Sequence, residues 1–444
     1  MEFHKKRDLN AFVIERNLLI ATNNNGFPKV ITGIRHCGKS YLLSKIYKQY
    51  LIDNGISNSN IIEIDLTKIS NAYYRDPLYL YNHIIELTKN NIGMNYVILD
   101  EIQEVYSIIN IALTYGKHIK AKSTDEEVIS FVDVILDLAS MNNIDLYVTG
   151  SNSKMLSTDI VTEFRDKATN IMLQPLSFEE FYKYQNKDEN AALMEYLIYG
   201  GMPLAVIKPE EEKENYLKEL FKTTYIKDII DKRKIRKVEA LDEICTLLAT
   251  CVGDLINSEN IAKQYKKKTN NKIDSDTVNS YINYFVDSFL LSEAFRHDLK
   301  GKNIINSTKK YYYIDTGLRN ARLNFIYEDS GKMLENIVYN ELIYNDYKVN
   351  VGTFDTFEND KNGKTTRKSL EINFLAVKGT RMYYIQVCDD YSSELTRNRE
   401  IKPYIALNDQ IQKIVFVNKQ IKEFRDEHGC TIIGICDFLL RFIK

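Results

Sequence analysis

The stretch Gly33-Ile-Arg-His-Cys-Gly38-Lys39-Ser40 constrains this chain more than any other feature of its sequence. It fits the phosphate-loop pattern G-x-x-x-x-G-K-S/T at every fixed position. The apolar run Lys29–Thr32 before it predicts a strand, and the helical spacing after Ser40 predicts a helix. Glycines let the backbone wrap phosphate groups, whose negative charge lies against the helix N-terminus. The stretch therefore predicts a nucleotide-binding parallel sheet with flanking helices.

The residue types in and after this loop predict a complete site for a nucleotide and its metal. Lys39 is expected to contact the β and γ phosphate oxygens, and Ser40 is expected to ligate Mg²⁺. The run Tyr96-Val-Ile-Leu-Asp100-Glu101 predicts a buried strand that delivers Asp100 to the Mg²⁺ shell. Glu101 is then predicted to polarise the attacking water as a general base. The predicted nucleotide-binding residues are Gly33, Ile34, Arg35, His36, Cys37, Gly38, Lys39, Ser40 and Asp100, with the metal on Ser40 and Asp100.

A third predicted strand, residues 145–149, is followed by the polar residues Gly150, Ser151 and Asn152. We expect this strand to lie next to the phosphate-loop strand, so that its end points at the γ-phosphate. Ser151 or Asn152 is then the candidate sensor of that phosphate, and Asn152 is our prediction. A polar turn without a function is the alternative.

Composition and charge favour a folded protein of several domains. A length of 444 residues suggests about three domains. A net charge of −2 argues against a simple basic nucleic-acid binder. No apolar run approaches the length of about 18 residues that a membrane helix needs, and the N-terminus has no signal-peptide pattern. The six cysteines lie far apart without a CxxC pair. They therefore predict reduced thiols in a cytoplasmic protein. The lack of a long apolar run predicts no membrane contact.

Three composition regimes predict domains at residues 1–190, 191–310 and 311–444. In the first, β-branched runs alternate with helical stretches, which is typical of a parallel sheet with crossover helices. The second is mainly helical and carries most of the clustered lysines. In the third, strand-like runs return between helical stretches, which predicts a second, small α/β domain.

The middle region has the pattern of a winged helix. Helical spacing at residues 261–265 and 277–285 predicts a helix-turn-helix pair, with Ser275 or Asp276 as N-cap. A wing hairpin is predicted to begin near residues 290–295. The lysines that crowd the turn suit phosphate contacts with DNA, while a solvated charged face is the alternative. They are Lys263, Lys266, Lys267, Lys268 and Lys272.

Several further motifs carry a resemblance to a known family. The most specific are Pro-Leu-Ser-Phe-Glu-Glu-Phe at residues 175–181 and Tyr-Gly-Gly-Met-Pro at residues 199–203. With the phosphate loop and the segments 98–103, 149–154, 313–318 and 334–336, they run in family order over nearly the whole chain. The chain resembles the bacterial and archaeal AAA-type ATPases whose C-terminal domain is restriction-endonuclease-like, of the PD-(D/E)xK type. The resemblance implies an ATP-binding module, a helical and winged-helix middle, and a nuclease-fold tail.

One departure from the family pattern concerns the arginine finger. The resemblance implies an Arg-Gly-Arg-like stretch before Pro175, where this sequence reads Phe164-Arg165-Asp166-Lys167. Arg165 keeps one guanidinium, but Lys167 cannot make the planar two-pronged contact with phosphate oxygens. Arg165 is therefore the predicted finger between subunits, and we expect slow hydrolysis.

The resemblance also implies a metal-dependent nuclease site, and here the charges of that site are largely missing. Glu335 matches an acidic position on a helix, but neutral residues stand where the family has Asp, Glu and Lys. These residues are Asn373, Gln386 and Cys388. Neutral amides bind Mg²⁺ poorly, because hard dications prefer anionic oxygens. Unless Glu371 or Asp389 substitutes, we expect no cleavage and a role in folding or partner docking.

The sequence thus predicts an ATP-binding protein with slow Mg²⁺-dependent hydrolysis that acts as a conformational switch. The alternative is an ATP-gated adaptor for DNA or protein with little turnover, and an active nuclease is disfavoured. Guanine specificity is disfavoured too. The letters Asn271-Lys-Ile-Asp274 follow no apolar strand, and Gln103 stands where GTPases carry glycine. ATP and Mg²⁺ are the expected cofactors. The partners left open are DNA at the winged helix, another protein and a second copy of the chain.

Overall fold

The chain divides into two compact units, residues 1–174 and 175–444, and each is mixed α/β as the sequence predicts. The predicted domain bounds at residues 190 and 310 stay predictions, and the second falls inside the strand Asn303–Tyr313. The residues described by this computed structural model are 27–122, 124–150, 168–185, 187–326, 329–359, 365–407 and 409–442.

The described part of the first unit is built on five parallel strands and a two-stranded antiparallel ribbon. Its strands are β1 (Lys29–Thr32), β2 (Ile61–Asp65), β3 (Asn95–Asp100), β4 (Ile108–Ile109), β5 (Val128–Ile129), β6 (Ile144–Gly150) and β7 (Thr169–Met172). The parallel sheet has the order β2-β3-β6-β1-β7, and β4 pairs with β5. The three strands predicted above for this sheet are confirmed as β1, β3 and β6. The predicted position of β6 next to β1 is confirmed as well, and β6 also pairs with β3.

The longer helices of the first unit begin at side chains that satisfy their first backbone N–H groups. Asp76 accepts a hydrogen bond of 3.0 Å from the Leu78 N–H, and Pro77 occupies a position where no N–H is needed. Ser130 and Asp133 form a capping box. The helices are Lys39–Tyr41, Leu42–Tyr47 (π-helical), Lys48–Asp53, Pro77–Thr88 and Phe131–Ala139, with 3₁₀ turns at Asn58–Asn60, Ile69–Arg75 and Ile102–Glu104.

The core of the first unit lies between the central strands and these helices. Val97 of β3 and Val148 of β6 are fully buried in one cluster with Leu80 and Ile135 of the helices. Burying a side chain of this size contributes about 1.5–3 kcal/mol. The cluster therefore holds in place the strand ends that carry the candidate site.

The described part of the second unit contains a mixed sheet of eight strands. Its strands are β8 (Leu291–Asp298), β9 (Asn303–Tyr313), β10 (Lys348–Asn359), β11 (Thr365–Lys378), β12 (Arg381–Cys388), β13 (Gln412–Val417), β14 (Phe424–Arg425) and β15 (Thr431–Gly434). Their order is β14-β15-β13-β12-β11-β10-β8-β9. The antiparallel pair β8 and β9 confirms the predicted hairpin, but β8 also pairs in parallel with β10, where Arg296 lies beside Val351. The predicted wing is therefore the edge of the C-terminal sheet.

The helices of the second unit include the two predicted around the lysine cluster, Ser258–Thr269 and Ser275–Asp287. The predicted N-cap was wrong, because the helix begins one residue earlier and Asp274 accepts a 2.7 Å bond from the Thr277 N–H. The other helices are Phe178–Gln185, Glu189–Tyr199, Pro203–Ile207, Glu210–Leu220, Phe221–Ile226, Lys227–Arg233, Val238–Thr250, Thr316–Arg322, Ser330–Tyr344, Glu394–Leu407, Ile435–Asp437 and Phe438–Phe442. Across the described ranges, no helix has both the length and the apolar character that crossing a bilayer requires.

Two of the motifs that carry the family resemblance meet at a buried carboxylate in the second unit. Asp315 accepts hydrogen bonds from the N–H of Gly201 at 2.7 Å and of Leu318 at 3.0 Å. A Cβ at Gly200 would lie 2.3 Å from the Asp315 carboxylate, so this close approach requires glycine. Burial raises the pKa of Asp315 to about 6, against the lowering effect of these backbone hydrogen bonds. The two motifs thus form one structural junction.

A third motif of the resemblance joins the helix Ser330–Tyr344 to β9. The Asn336 side chain accepts a 2.9 Å bond from the Tyr313 N–H and donates a 2.7 Å bond to the Tyr313 carbonyl. An asparagine bonded to both groups of one strand residue sets the position of its helix against that strand. This contact brings the preceding residue, Glu335, next to the side chains of β9.

Candidate functional site

The phosphate loop connects the carboxyl end of β1 to the helix that begins at Lys39. The Lys39 side chain is buried, and its ammonium donates to the carbonyls of Gly33 at 2.9 Å and Ile34 at 3.0 Å. A Cβ at Gly33 would come within 2.1 Å of the Leu173 carbonyl, so the loop requires glycine at its start. The loop therefore encloses the cation that we expect to contact phosphates.

The remaining loop residues differ in their exposure. Ile34 and Cys37 are buried, Arg35 is half-buried, and His36 is exposed with a left-handed backbone, φ 62°. The Cys37 thiol donates to the Leu173 carbonyl at 3.4 Å, and burial raises the pKa of this thiol. Cys37 is therefore a packing residue of the loop, whereas Ser40, at the start of the helix, is exposed.

The predicted metal ligands lie together at the carboxyl edge of the parallel sheet. Asp100 ends β3, and its carboxylate accepts a hydrogen bond from the Thr149 hydroxyl. Burial raises the pKa of Asp100, and hydrogen bonds from the hydroxyls of Thr149 and Ser40 act in the opposite direction. A hydroxyl and a carboxylate are hard oxygen donors, which Mg²⁺ prefers. Ser40 and Asp100 therefore fit a Mg²⁺ ion.

Thr149 is a site residue that the sequence reasoning missed. Its hydroxyl accepts a 2.9 Å bond from the Glu101 N–H and donates to the Asp100 carboxylate, and the residue is fully buried. Glu101 has a left-handed backbone, φ 55°, a conformation that costs a non-glycine residue about 1–3 kcal/mol. The Gln103 amide donates to the Glu101 carboxylate. The available signal was a threonine at the carboxyl end of a strand that was expected next to the phosphate-loop strand.

The structure does not describe two of the predicted catalytic residues. Asn152, the candidate γ-phosphate sensor, and Arg165, the candidate arginine finger, lie outside the described residues. Their roles remain predictions from the sequence.

The lysine cluster of the second unit lies on the helix Ser258–Thr269 and the turn that follows it. Lys268 pairs with Glu243 at 2.6 Å. Lys268 is exposed despite this pair, and so are the other four lysines, namely Lys263, Lys266, Lys267 and Lys272. Their exposure is compatible with both predicted roles, phosphate contact and a solvated face.

A cavity of about 460 Å³ in the second unit brings together most of the predicted nuclease positions. Glu335 comes from the helix Ser330–Tyr344, Glu371 and Asn373 come from β11, and Cys388 ends β12. Burial, and then the charge of Glu400, raise the pKa of the Cys388 thiol to about 12. At neutral pH this residue is therefore neither a cation nor a thiolate.

Lys310 of β9, which the sequence reasoning did not select, lies between the two carboxylates of this cavity. Its Nζ is 2.9 Å from the Glu335 carboxylate and 2.7 Å from the Glu371 carboxylate, and its side chain is only 2% exposed. Burial lowers the pKa of Lys310, but the two carboxylates raise it more, so that its pKa lies above the usual value. Lys310 therefore carries a positive charge inside the cavity.

The two amides at positions where the resemblance implies carboxylates are both used as amides. Asn373 Oδ1 accepts a 2.9 Å bond from the Val387 N–H, and its Nδ2 donates to Glu335 at 2.8 Å. Gln386 Oε1 accepts a 2.7 Å bond from the Asn373 N–H, and its Nε2 donates to Glu400 at 3.2 Å. A carboxylate could accept but not donate at these positions. The replacements therefore build hydrogen bonds between β11 and β12.

The electrostatics of the cavity oppose the binding of a phosphate group. Seven acidic side chains and three basic ones line it. Within the described residues, no set of three or more His, Cys, Asp or Glu side chains is arranged to hold a metal ion. Nucleic acid binding depends on neutralising phosphates, which an excess of carboxylates cannot do.

Two family models match parts of this chain. Residues 25–182 match the AAA domain family, and residues 190–329 match a domain of unknown function, DUF8612. An uncharacterized protein of Haemophilus influenzae is 28% identical over 431 residues, covering 95% of this chain and 96% of that protein. An uncharacterized protein of Methanocaldococcus jannaschii is 29% identical over 432 residues, covering 94% and 86%.

Among solved structures, the Aeropyrum pernix ORC1 protein in complex with DNA is similar over 71% of this chain and 91% of its own. Its identity is 9% and its TM-score is 0.31.

The match to the AAA domain family agrees with the phosphate loop and the parallel strand order of the first unit. Together they support an AAA-type P-loop ATPase, a class of protein that binds nucleotide.

Proposed function

We propose that the chain binds ATP with Mg²⁺ at the phosphate loop and hydrolyses it slowly, as a conformational switch. The observation that carries this proposal is the convergence of Lys39, Ser40 and Asp100 at one edge of the parallel sheet. Lys39 contacts the phosphate oxygens, Ser40 and Asp100 hold the metal, and Glu101 orients the attacking water.

ATP rather than GTP is the proposed nucleotide. The letters Asn271-Lys-Ile-Asp274 are the feature that favours guanine, and Asp274 uses its carboxylate to cap the helix Ser275–Asp287. Gln103, where GTPases carry glycine, donates to Glu101 instead. Competition of unlabelled ATP and GTP for one bound fluorescent nucleotide tests this choice, and equal competition would reject it.

The separate roles of Lys39 and Glu101 are tested with two variants. Lys39→Ala removes the phosphate contact and is expected to abolish nucleotide binding, whereas Glu101→Gln is expected to retain binding and lose turnover. Calorimetric titration measures binding and phosphate release measures turnover. Lys45→Ala, an exposed lysine on the same helical stretch, is the matched control and should change neither. Equal loss of binding in Lys39→Ala and Glu101→Gln would reject the assignment.

For the residues outside the described ranges, the proposal rests on the sequence. Asn152 senses the γ-phosphate, and Arg165 completes the site of a neighbouring subunit. Arg165→Ala should then lower turnover only at concentrations where subunits associate. The same loss in dilute monomer would show that Arg165 does not act between subunits.

We also propose that the cavity of the second unit does not cut nucleic acid. The support is the use of Asn373 and Gln386 as amides, the uncharged Cys388 thiol and the excess of carboxylates. The test is incubation of supercoiled and single-stranded DNA with the full chain in Mg²⁺ or Mn²⁺, with and without ATP. Cleavage that disappears in Glu335→Ala would overturn this proposal.

The exposed lysines favour a second candidate function, an ATP-gated adaptor for DNA. All five clustered lysines face solvent, and four of them have no ion pair among the described residues, which suits phosphate contact. An adaptor should bind DNA without faster ATP hydrolysis, whereas a DNA-dependent ATPase should be stimulated. Turnover measured with and without duplex DNA separates the two.

A further inference from the structure

The interval between Glu335 and Glu371 has the geometry of a cation site, and Lys310 fills it. One nitrogen atom lies within 2.9 Å of an oxygen from each carboxylate. Oxygen ligands lie about 2.0–2.6 Å from Mg²⁺ and Ca²⁺, so the Lys310 nitrogen is only slightly farther from both oxygens than a metal ion would be. The ammonium thus stands where a divalent cation would bridge them.

Both oxygens of the Glu335 carboxylate also accept hydrogen bonds from other side chains. The Tyr312 hydroxyl donates to Oε1 at 2.6 Å, and the Asn373 amide donates to Oε2 at 2.8 Å. Lys310 and Tyr312 are two residues apart on β9 and therefore face the same side of the sheet. These two donors can stay in place beside a metal ion, because a carboxylate has about four lone-pair sites, whereas the ammonium occupies the position of the ion itself.

The chain itself supplies a counter-charge to these two carboxylates. The Lys310 side chain is almost completely buried, while the Glu335 side chain is 14% exposed and the Glu371 side chain is 38% exposed. Two carboxylates this close destabilise one another unless a cation lies between them. Lys310 supplies that cation at all times, because it is part of the chain.

We propose that Lys310 replaces a divalent metal ion in this cavity, so that Glu335 and Glu371 form a latent metal site that an internal ammonium keeps closed. The ligand class of the latent site is a hard divalent cation, with Mn²⁺ as the probe. The inference deepens the proposal that the cavity does not cut nucleic acid and is independent of the ATP site. The inference about Lys310 is tested by metal binding rather than by DNA cleavage. It can therefore fail while the proposal that the cavity does not cut nucleic acid stands.

One consequence concerns the recovery of nuclease chemistry. Restoring the family residues by Asn373→Asp, Gln386→Glu and Cys388→Lys leaves Lys310 in place. The triple variant should therefore not bind Mn²⁺ in the cavity. Adding Lys310→Met to it should allow binding, because the carboxylates then lack their internal counter-ion.

The experiment uses the full chain without nucleotide and measures Mn²⁺ binding by electron paramagnetic resonance of the free ion. Lys310→Met, with a side chain of similar length and no charge, should bind Mn²⁺ in the cavity. The further change Glu335→Gln should lower that affinity by roughly tenfold or more. The wild type should show no binding that Glu335→Gln removes. Lys309→Met, which changes the neighbouring lysine paired with Glu293, is the control and should behave as the wild type.

Stability provides a second measurement if Lys310→Met folds poorly. Its melting temperature should fall and rise again with millimolar Mn²⁺, while EDTA should leave the wild type unchanged. Lys310→Met with Glu371→Gln carries one carboxylate fewer and should be more stable than Lys310→Met alone. Binding in the wild type that Glu335→Gln abolishes would overturn the proposal. The proposal would also be overturned if Lys310→Met folded but bound no more Mn²⁺ than the wild type. The same holds if Lys310→Met with Glu371→Gln were no more stable than Lys310→Met alone.

Discussion

Replacing Thr149 by valine should lower ATP turnover at the candidate site without unfolding the parallel sheet. The change keeps the shape of the side chain and removes the hydroxyl that joins Asp100 to Glu101. A hydrogen bond to a charged group contributes about 1.5–3 kcal/mol, and a buried N–H left without an acceptor costs about 1–3 kcal/mol. Because both losses occur at one buried atom, we expect Thr149→Val to destabilise the ends of β3 and β6 by about 2–4 kcal/mol.

The effect on turnover follows from the positions of the two carboxylates. Without the hydroxyl, the Asp100 carboxylate loses a donor and Glu101 loses the contact that supports its left-handed backbone. A misplacement of about 1 Å in a catalytic group can lower the rate roughly 100-fold. We therefore expect turnover to fall by roughly 10- to 100-fold, whereas nucleotide affinity, which depends mainly on Lys39, changes much less.

The assay combines steady-state phosphate release with hydrogen exchange of peptides that span β3 and β6 in the full chain. Thr149→Ser keeps the hydroxyl and should recover most of the turnover. The matched control is Thr88→Val, because Thr88 is also buried and its hydroxyl bonds only to its own helix, at the Ile84 carbonyl at 3.0 Å and the Ile85 carbonyl at 3.1 Å. Wild-type turnover and exchange in Thr149→Val would refute the reasoning. An equal loss of turnover in Thr88→Val would show that general destabilisation causes the effect.

Two further predictions concern the second unit. The pKa of Asp315, about 6, lies above its unfolded value of 3.8, so its contribution to stability is complete below pH 3.8 and is lost as the pH rises through 6. As the pH rises from 3.8 to 6, the unfolding free energy of the wild type should therefore fall relative to that of Asp315→Asn. A constant difference between the two proteins would contradict the assignment. If the lysine cluster binds DNA, Lys266→Gln with Lys267→Gln should flatten the log–log salt dependence of affinity by about two units. Lys268→Gln, which changes a lysine already paired with Glu243, should have a smaller effect, and an unchanged slope in both would leave the cluster as a solvated face.

The outline of the candidate ATP site could be predicted because its pattern is local. A phosphate loop between a strand and a helix, and an apolar run ending in Asp100, are visible in short windows of sequence. The carboxyl ends of parallel strands meet at one edge, so the approach of Asp100 to Ser40 follows from the strand order. The same reasoning predicted that β6 lies beside β1.

The cap of the helix Ser275–Asp287 shows the limit of local patterns. Asp274, Ser275 and Asp276 are all good capping residues, so sequence alone could not choose among them. The backbone geometry decides, because only Asp274 is extended and places its oxygen on the Thr277 N–H.

The contacts that define the two sites most sharply join residues far apart in the chain, and only the tertiary structure decided them. Thr149 reaches Asp100 across neighbouring strands, and Lys310 of β9 reaches Glu335 on a helix and Glu371 on β11. The sequence by itself determined that neutral residues stand where the resemblance implies charged nuclease residues, since that requires only the letters at three positions. That a lysine from another strand stands between the remaining carboxylates depends on strand register and helix placement, which no local periodicity encodes.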